Sequence, residues 1–316
     1  MTNPVSRSAN YTAPDASSRA LRFTIPLELA GLRLDQALAK LLPAESRTRL
    51  AKLVDAGHVR VDGAPASPRL KLKSGEAVEV ELVPRPAEGA FRPEAIALAV
   101  IHEDEDVLVV DKPPGLVVHP GSGNWEGTLL NALLHHAPGA QHLPRAGIVH
   151  RLDKDTSGLL VVAKNEAAQQ ALVRQLQART VKRTYLAIAR GRIARAGTVD
   201  APIGRHPVQR TKMAVVESGK PAVTHYRVRE KLAAHTLVEC DLETGRTHQI
   251  RVHLASIGHP VEGDPVYAGR GAQLLPRQAL HAWKLAFEHP RSGAVARFES
   301  PVPADFTALL EALRNG

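Results

Sequence analysis

A single cysteine, Cys240, is all that this chain of 316 residues contains. That excludes an internal disulfide and any multi-cysteine zinc site. It also fits a reducing, cytoplasmic setting. Aromatic residues are only 3% of the chain, so the core must be aliphatic. Long apolar runs are missing too. Leu159–Ala163 falls far short of the roughly 20 residues that span a bilayer. Residues 1–20 are rich in Ser, Asn, Pro and Ala and lack the apolar stretch of a secretion signal. Their composition predicts disorder. No membrane partner is expected.

Apolar residues nevertheless make up 44% of the chain, enough for a real core. At roughly 100–200 residues per domain, the length suggests two domains. The net charge is +9, and it is concentrated. Ala171 to Met213 holds ten Lys/Arg against the single acid Asp200, which accounts for the whole excess. Such a run is either a solvated face or a surface for a phosphate backbone.

A small module is expected over 21–83. Leu34, Ala37, Leu38, Leu41 and Leu42 recur at helical spacing, and Pro43 stops that helix. Ser46 is placed to cap a second helix, with Leu50, Leu53 and Val54 inward and Arg47, Arg49 and Lys52 outward. Val59-Arg60-Val61 alternates into an Asp62-Gly63 turn, and 78–83 alternates again. Residues 84–95, opening on Pro84-Arg85-Pro86, read as a linker. The rest, 96–316, mixes strand and helix signals without a steady βαβ rhythm. Strands are expected at 107–110, 159–163, 181–189, 223–228 and 237–242. Helices are expected from Thr128 to His135 and after an Asn165 cap. This predicts an α+β fold with a large mixed, mostly antiparallel sheet.

Two polar segments carry candidate chemistry. The first is His150-Arg151-Leu152-Asp153-Lys154-Asp155-Thr156-Ser157-Gly158, a loop between apolar strands. Functional carboxylates commonly sit on such loops. Residue chemistry alone leaves His150, Asp153 and Asp155 all open as the active acid or base. The second is Glu243-Thr244-Gly245-Arg246-Thr247-His248-Gln249-Ile250-Arg251-Val252-His253. There Arg246 precedes a helix, where an arginine does not serve the macrodipole and suggests a specific anionic partner. His248 and His253 are five apart, about 140° around a helix, so they do not form a metal pair. No metal is expected.

Together these segments closely resemble the motifs of the RluA-type pseudouridine synthases. His150 to Leu159 is similar to the catalytic motif, Lys182-Arg183-Thr184-Tyr185 to the second and Glu243 to His253 to the third. Gly258 to Tyr267 and Ala279-Leu280-His281-Ala282 continue the likeness. The small module resembles an S4 RNA-binding domain.

The resemblance implies isomerisation of uridine to pseudouridine in RNA, with no cofactor. It implies Asp153 as the catalytic carboxylate and Tyr185 against the target base. Arg246 is expected as the ion-pair partner of Asp153, since a nearby cation favours the charged form. Arg151 is expected to fill the space left by a flipped base. Lys182, Arg183, His150 and Leu280 join it in binding substrate, with Arg47, Arg49 and Lys52 on the small module. The implied partner is 23S ribosomal RNA or a large-subunit precursor, at the stem-loop called helix 69, with the protein a monomer. The competing expectations are another rRNA or tRNA site, and a non-catalytic RNA-binding assembly factor.

Overall fold

A computed structural model describes residues 19–83, 90–121, 123–209, 211–269 and 273–315. The chain divides between Ala90 and Phe91 into two compact units. Residues 1–18 of the segment expected to be disordered, and 84–89 of the expected linker, lie outside the described residues.

In the first unit, β1 (Arg19–Thr24) begins two residues earlier than composition suggested. The reason is pairing: Arg19 and Ala20 align with Leu82 and Glu81 on β4 (Ala77–Leu82). Helix α1 (Leu34–Leu41) and helix α2 (Arg47–Asp55) follow, and Ser46 Oγ accepts the Arg49 N–H at 3.3 Å. Strands β2 (Val59–Val61) and β3 (Ala64–Pro65) form a hairpin across Asp62-Gly63. Both turn residues have positive φ, as a two-residue type I′ turn demands. The sheet order is β1-β4-β2-β3. Leu34, Leu38, Leu50, Val59 and Val78 fill its core.

The second unit is built on a sheet of nine strands among the described residues. Its members are β5 (Ala99–Glu103), β6 (Val107–Lys112), β7 (Ser157–Ala163), β8 (Lys182–Arg190) and β9 (Gly197–Asp200), then β12 (Val223–Lys231), β13 (His235–Leu242), β14 (Leu280–Glu288) and β15 (Val295–Glu299). A separate hairpin pairs β10 (Ile203–Arg205) with β11 (Met213–Val215). The main order is β5-β6-β7-β14-β8-β13-β12-β9, with β15 on β14. Among the described residues only the β7–β14 pairing is parallel.

The unbroken apolar runs of β6 and β7 are explained by burial on both faces. Val107, Val109, Leu159 and Val161 face helix α4 (Glu166–Gln177) through Ala168 and Leu172. Leu108, Val110, Leu160 and Val162 face the other way. There they share a core with residues of α3 (Leu129–His136), α5 (Gln249–Ser256) and α6 (Ala304–Asn315). Asn165 caps α4 through the Ala168 N–H, 2.9 Å away.

Gly158 is required by close approach rather than by a turn. Its φ is 110°, and a Cβ there would lie 2.2 Å from the Ala282 carbonyl oxygen of β14. The loop 150–156 therefore enters the sheet at the strand that joins β6 to β14. Across β14 lies β8, bearing Tyr185, and α5 leaves the next strand, β13, through residues 243–248.

Candidate active site

A cavity of about 810 Å³ opens where these segments meet. Its wall includes Asp153 from the loop before β7, Tyr185 from β8, Leu280 from β14, and Arg246, His248 and Arg251 around the start of α5. Six arginines line it, namely Arg145, Arg151, Arg179, Arg183, Arg246 and Arg251, against two acids, Asp153 and Glu243.

The cation on Asp153 is Arg251, not Arg246. Arg251 Nη1 donates to Asp153 Oδ2 at 2.8 Å. Arg246 lies outside α5, and its Nε is spent on the Pro221 carbonyl at 3.0 Å. The difference is one of direction. Arg251 sits in the first turn of α5 and reaches Asp153 from there, while His248 caps the helix in a left-handed conformation, φ 58°. His248 Nε2 lies 3.9 Å from Asp153 Oδ1. No local signal in the sequence separates Arg251 from Arg246, because the choice depends on the direction in which each leaves the backbone.

Behind Arg251 stands Asp264, a carboxylate with no solvent exposure. It takes two further Arg251 bonds, Nε to Oδ2 at 2.7 Å and Nη2 to Oδ1 at 3.0 Å. Burial alone would lower the Arg251 pKa. The Asp264 hydrogen bonds and the Asp153 charge outweigh it and raise the value, so the guanidinium stays charged. Tyr267 lies under the guanidinium, 5.2 Å to the ring centroid, and its hydroxyl is 2.9 Å from His248 Nδ1. Burial pushes the His248 imidazole toward its neutral form, although Asp153 opposes this.

The loop that carries Asp153 is clamped through its backbone. The Lys154 carbonyl accepts from the Lys112 ammonium at 2.8 Å and from the Gly115 N–H at 3.0 Å. The Asp155 carbonyl accepts from Arg277 and the Thr156 hydroxyl from Gln278. Lys112 is 1% exposed, and it also donates to the Pro113 and Leu116 carbonyls. Burial pushes its pKa down to about 7, against the pull of Asp155 and Asp153. Three carbonyl acceptors match the three N–H bonds of the charged form. Replacing Lys112 by Met leaves these carbonyls short of a donor in a buried place, at about 1–3 kcal/mol. We expect a lower urea midpoint and a slower reaction. An unchanged midpoint would show that the ammonium does not hold the loop.

A model of the RNA pseudouridylate synthase family matches residues 106–256, and an S4 domain model matches 32–78. A ribosomal large subunit pseudouridine synthase D from Nitrosomonas europaea is 56% identical, covering 97% of this chain and 94% of its own. The chain belongs to the RNA pseudouridine synthase family. Its relative of the same name in Pseudomonas aeruginosa is 54% identical over 92% of this chain and 95% of its own. The solved Human RNA Pseudouridylate Synthase Domain Containing 1 is 29% identical with a TM-score of 0.54, covering 71% of this chain and 97% of its own.

In this synthase Tyr185 is 6% exposed, and burial pushes its phenol up to about 12, with Arg183 opposing and Asp153 adding. It presents a neutral ring to the cavity. Arg183, two residues earlier, also lines the cavity, and its Nε is buried without an acceptor. Lys182 is exposed and alternates to the opposite face of β8, away from the cavity. Leu280 and the exposed Arg151 line the wall as expected. His150 lines it too, but its Nε2 accepts the Val161 N–H at 3.1 Å, and burial pushes its imidazole down to about 3. It shapes the loop as a neutral ring.

The basic window is not one face. Arg190 pairs with the buried Glu262 and Arg179 with Glu243, while Arg210 lies outside the described residues. On the S4 unit, Arg47 is tied to the buried Asp35. Arg49 is tied to Glu45 and to the Val83 carbonyl. Lys52 is exposed. Of the histidines, His253 is spent on Thr224 and the Ala201 carbonyl. No helix among the described residues is long and apolar enough to cross a membrane.

Proposed function

We propose that the synthase isomerises uridines of large-subunit (23S) ribosomal RNA, at the helix 69 stem-loop. The observation that carries the reaction is the Asp153 carboxylate. It is held by a buried, fully engaged guanidinium at the wall of an arginine-lined cavity. The names of the relatives, ribosomal large subunit pseudouridine synthase D, support the class of RNA.

The reaction breaks the N1–C1′ bond, turns the base and joins C5 to C1′. The C5 proton leaves and N1 gains one, so the change is redox-neutral. Asp153 acts beside the ribose, as nucleophile or base, on a nucleotide flipped out of its stack at a cost of a few kcal/mol. Arg251 aims the carboxylate, and Asp264 and Tyr267 hold Arg251. Tyr185 offers the base a neutral aromatic face. With a phenol titrating at about 12, it suits stacking better than taking the C5 proton. Arg151 occupies the gap left in the RNA.

Base-resolution mapping in a deletion strain tests the address. We expect pseudouridines to vanish from helix 69 and to return with the wild-type gene. Their persistence there, with losses elsewhere in rRNA or tRNA, would reassign the substrate.

A further inference from the structure

Part of the cavity wall carries positive charge with no counter-charge among the described residues. Arg145 and Arg151 both line it, and neither has a carboxylate partner among the described residues. The two acids of the wall are already engaged. Asp153 is bound by Arg251, and Glu243 by Arg179 at 3.1 Å and by His225 at 2.7 Å. His119 lines the same cavity and is half-buried. Burial, then the charges of Arg151 and Arg145, push its imidazole down to about 4. All three side chains line the one cavity.

The backbone under Arg145 is held in an unusual shape. Arg145 has φ 55° and Ala146 has φ 51°, two successive left-handed residues that are not glycine. Gly147 follows at φ 78°, with its α-carbon so close to β7 that a Cβ would lie 1.9 Å from the Ala163 carbonyl oxygen. Ala146 is 4% exposed. Such conformations persist only where the surroundings over-determine them, and they cluster at ligand sites. Here the result is to fix where Arg145 leaves the chain, at the cavity edge.

We propose that Arg145 and His119, bordered by Arg151, form a subsite for the phosphodiester of a nucleotide next to the target uridine. This deepens the proposed function and rests on RNA as the substrate. The chemistry fits the anion. The Arg145 guanidinium supplies forked N–H donors matched to phosphate oxygens. A neutral imidazole supplies one more donor. Arg151 stands two residues before Asp153 on the same loop, and both line the cavity with Arg145 and His119. A phosphate fixed here sets the distance between the RNA backbone and Asp153.

The test uses the full chain and synthetic helix 69 RNA carrying a single neutral methylphosphonate, moved one linkage at a time. Affinity is measured by filter binding for wild type and for Arg145→Asn, since asparagine tolerates the left-handed backbone. At one linkage beside the target uridine, neutralisation should weaken wild type about tenfold and leave Arg145→Asn unaffected. The salt dependence of Arg145→Asn binding should be shallower by about 0.7–0.9 of a logarithmic unit. His119→Gln should show the same coupling at the same linkage, and it keeps the test open if the Asn variant misfolds. If both variants lose as much as wild type at every linkage, the subsite is overturned. Release of tritium from C5-labelled uridine, followed in parallel, separates this from failure of the proposed reaction. Absence of release with the coupling intact sinks the reaction and keeps the subsite.

Discussion

Asp153→Asn should fold like the wild type and make almost no pseudouridine, with a rate lower by about 10⁴-fold or more. Asparagine has the same shape, and its side-chain oxygen still accepts the Arg251 Nη1 hydrogen bond. What it removes is the negative charge that attacks or accepts a proton beside the ribose. Arg251 keeps both bonds to Asp264, so the local structure persists. The measurement is tritium release from C5-labelled uridine in RNA, beside a thermal melt. A variant that melts normally and reacts at the wild-type rate would falsify the assignment. A variant that reacts slowly but also melts far lower would leave folding as the cause, and Asp153→Glu then separates the two. Its retained charge in a displaced position should restore stability without restoring rate.

Arg251 and Arg246 should differ sharply when each is replaced by Met. Arg251→Met leaves Asp264 fully buried without its cation, which costs about 3–5 kcal/mol of stability. It also releases Asp153, so the rate should fall by about 10³-fold or more, since a misplaced catalytic group already costs about 10²-fold. Arg246→Met removes one bond to the Pro221 carbonyl at a partly exposed site. Its stability should change by less than about 1.5 kcal/mol, and its rate by less than about tenfold. Denaturant unfolding and single-turnover rates check both. Arg251→Lys should not rescue, because a point charge cannot make a bidentate contact with Asp264 and reach Asp153 as well. Pairing Arg251→Met with Asp264→Leu should recover part of the stability and none of the rate, because the buried charge is gone and Asp153 is still unheld. If Arg246→Met proved the more damaging of the two, Arg251 would be a structural residue and the original expectation would return.

Local features of this chain are visible in the sequence because their causes are local. The Asn165 cap and the repeat of Ala168, Leu172 and Leu176 specify α4, since capping and helical periodicity act within a few residues. Unbroken apolar runs at 107–110 and 159–163 mark strands buried on both faces. The loop bearing Asp153 is legible for a related reason: a polar segment joins two apolar runs, and scaffold-held loops of that kind commonly carry functional side chains. The resemblance of the linked motifs implies Asp153 among His150, Asp153 and Asp155, and the family gives the reaction class.

The tertiary structure alone decided the partners. Strand β14 is the hub of the large sheet, yet it pairs with β7 across 124 residues of chain at Ser157 and His281. Nothing near either strand announces that contact. Choosing between Arg246 and Arg251 needs the direction in which each leaves the backbone, and the position of a buried carboxylate, Asp264, from a later turn. Lys112 looks like a surface lysine ahead of Pro113, and only folding shows its ammonium spent on three carbonyls beside the loop. Likewise, the run of positive charge between 171 and 213 scatters once Arg190 is claimed by Glu262. Charge counts add along the chain, whereas ion pairs form across it, so the loop that bears Asp153 could be read locally and the side chains that hold its carboxylate could not.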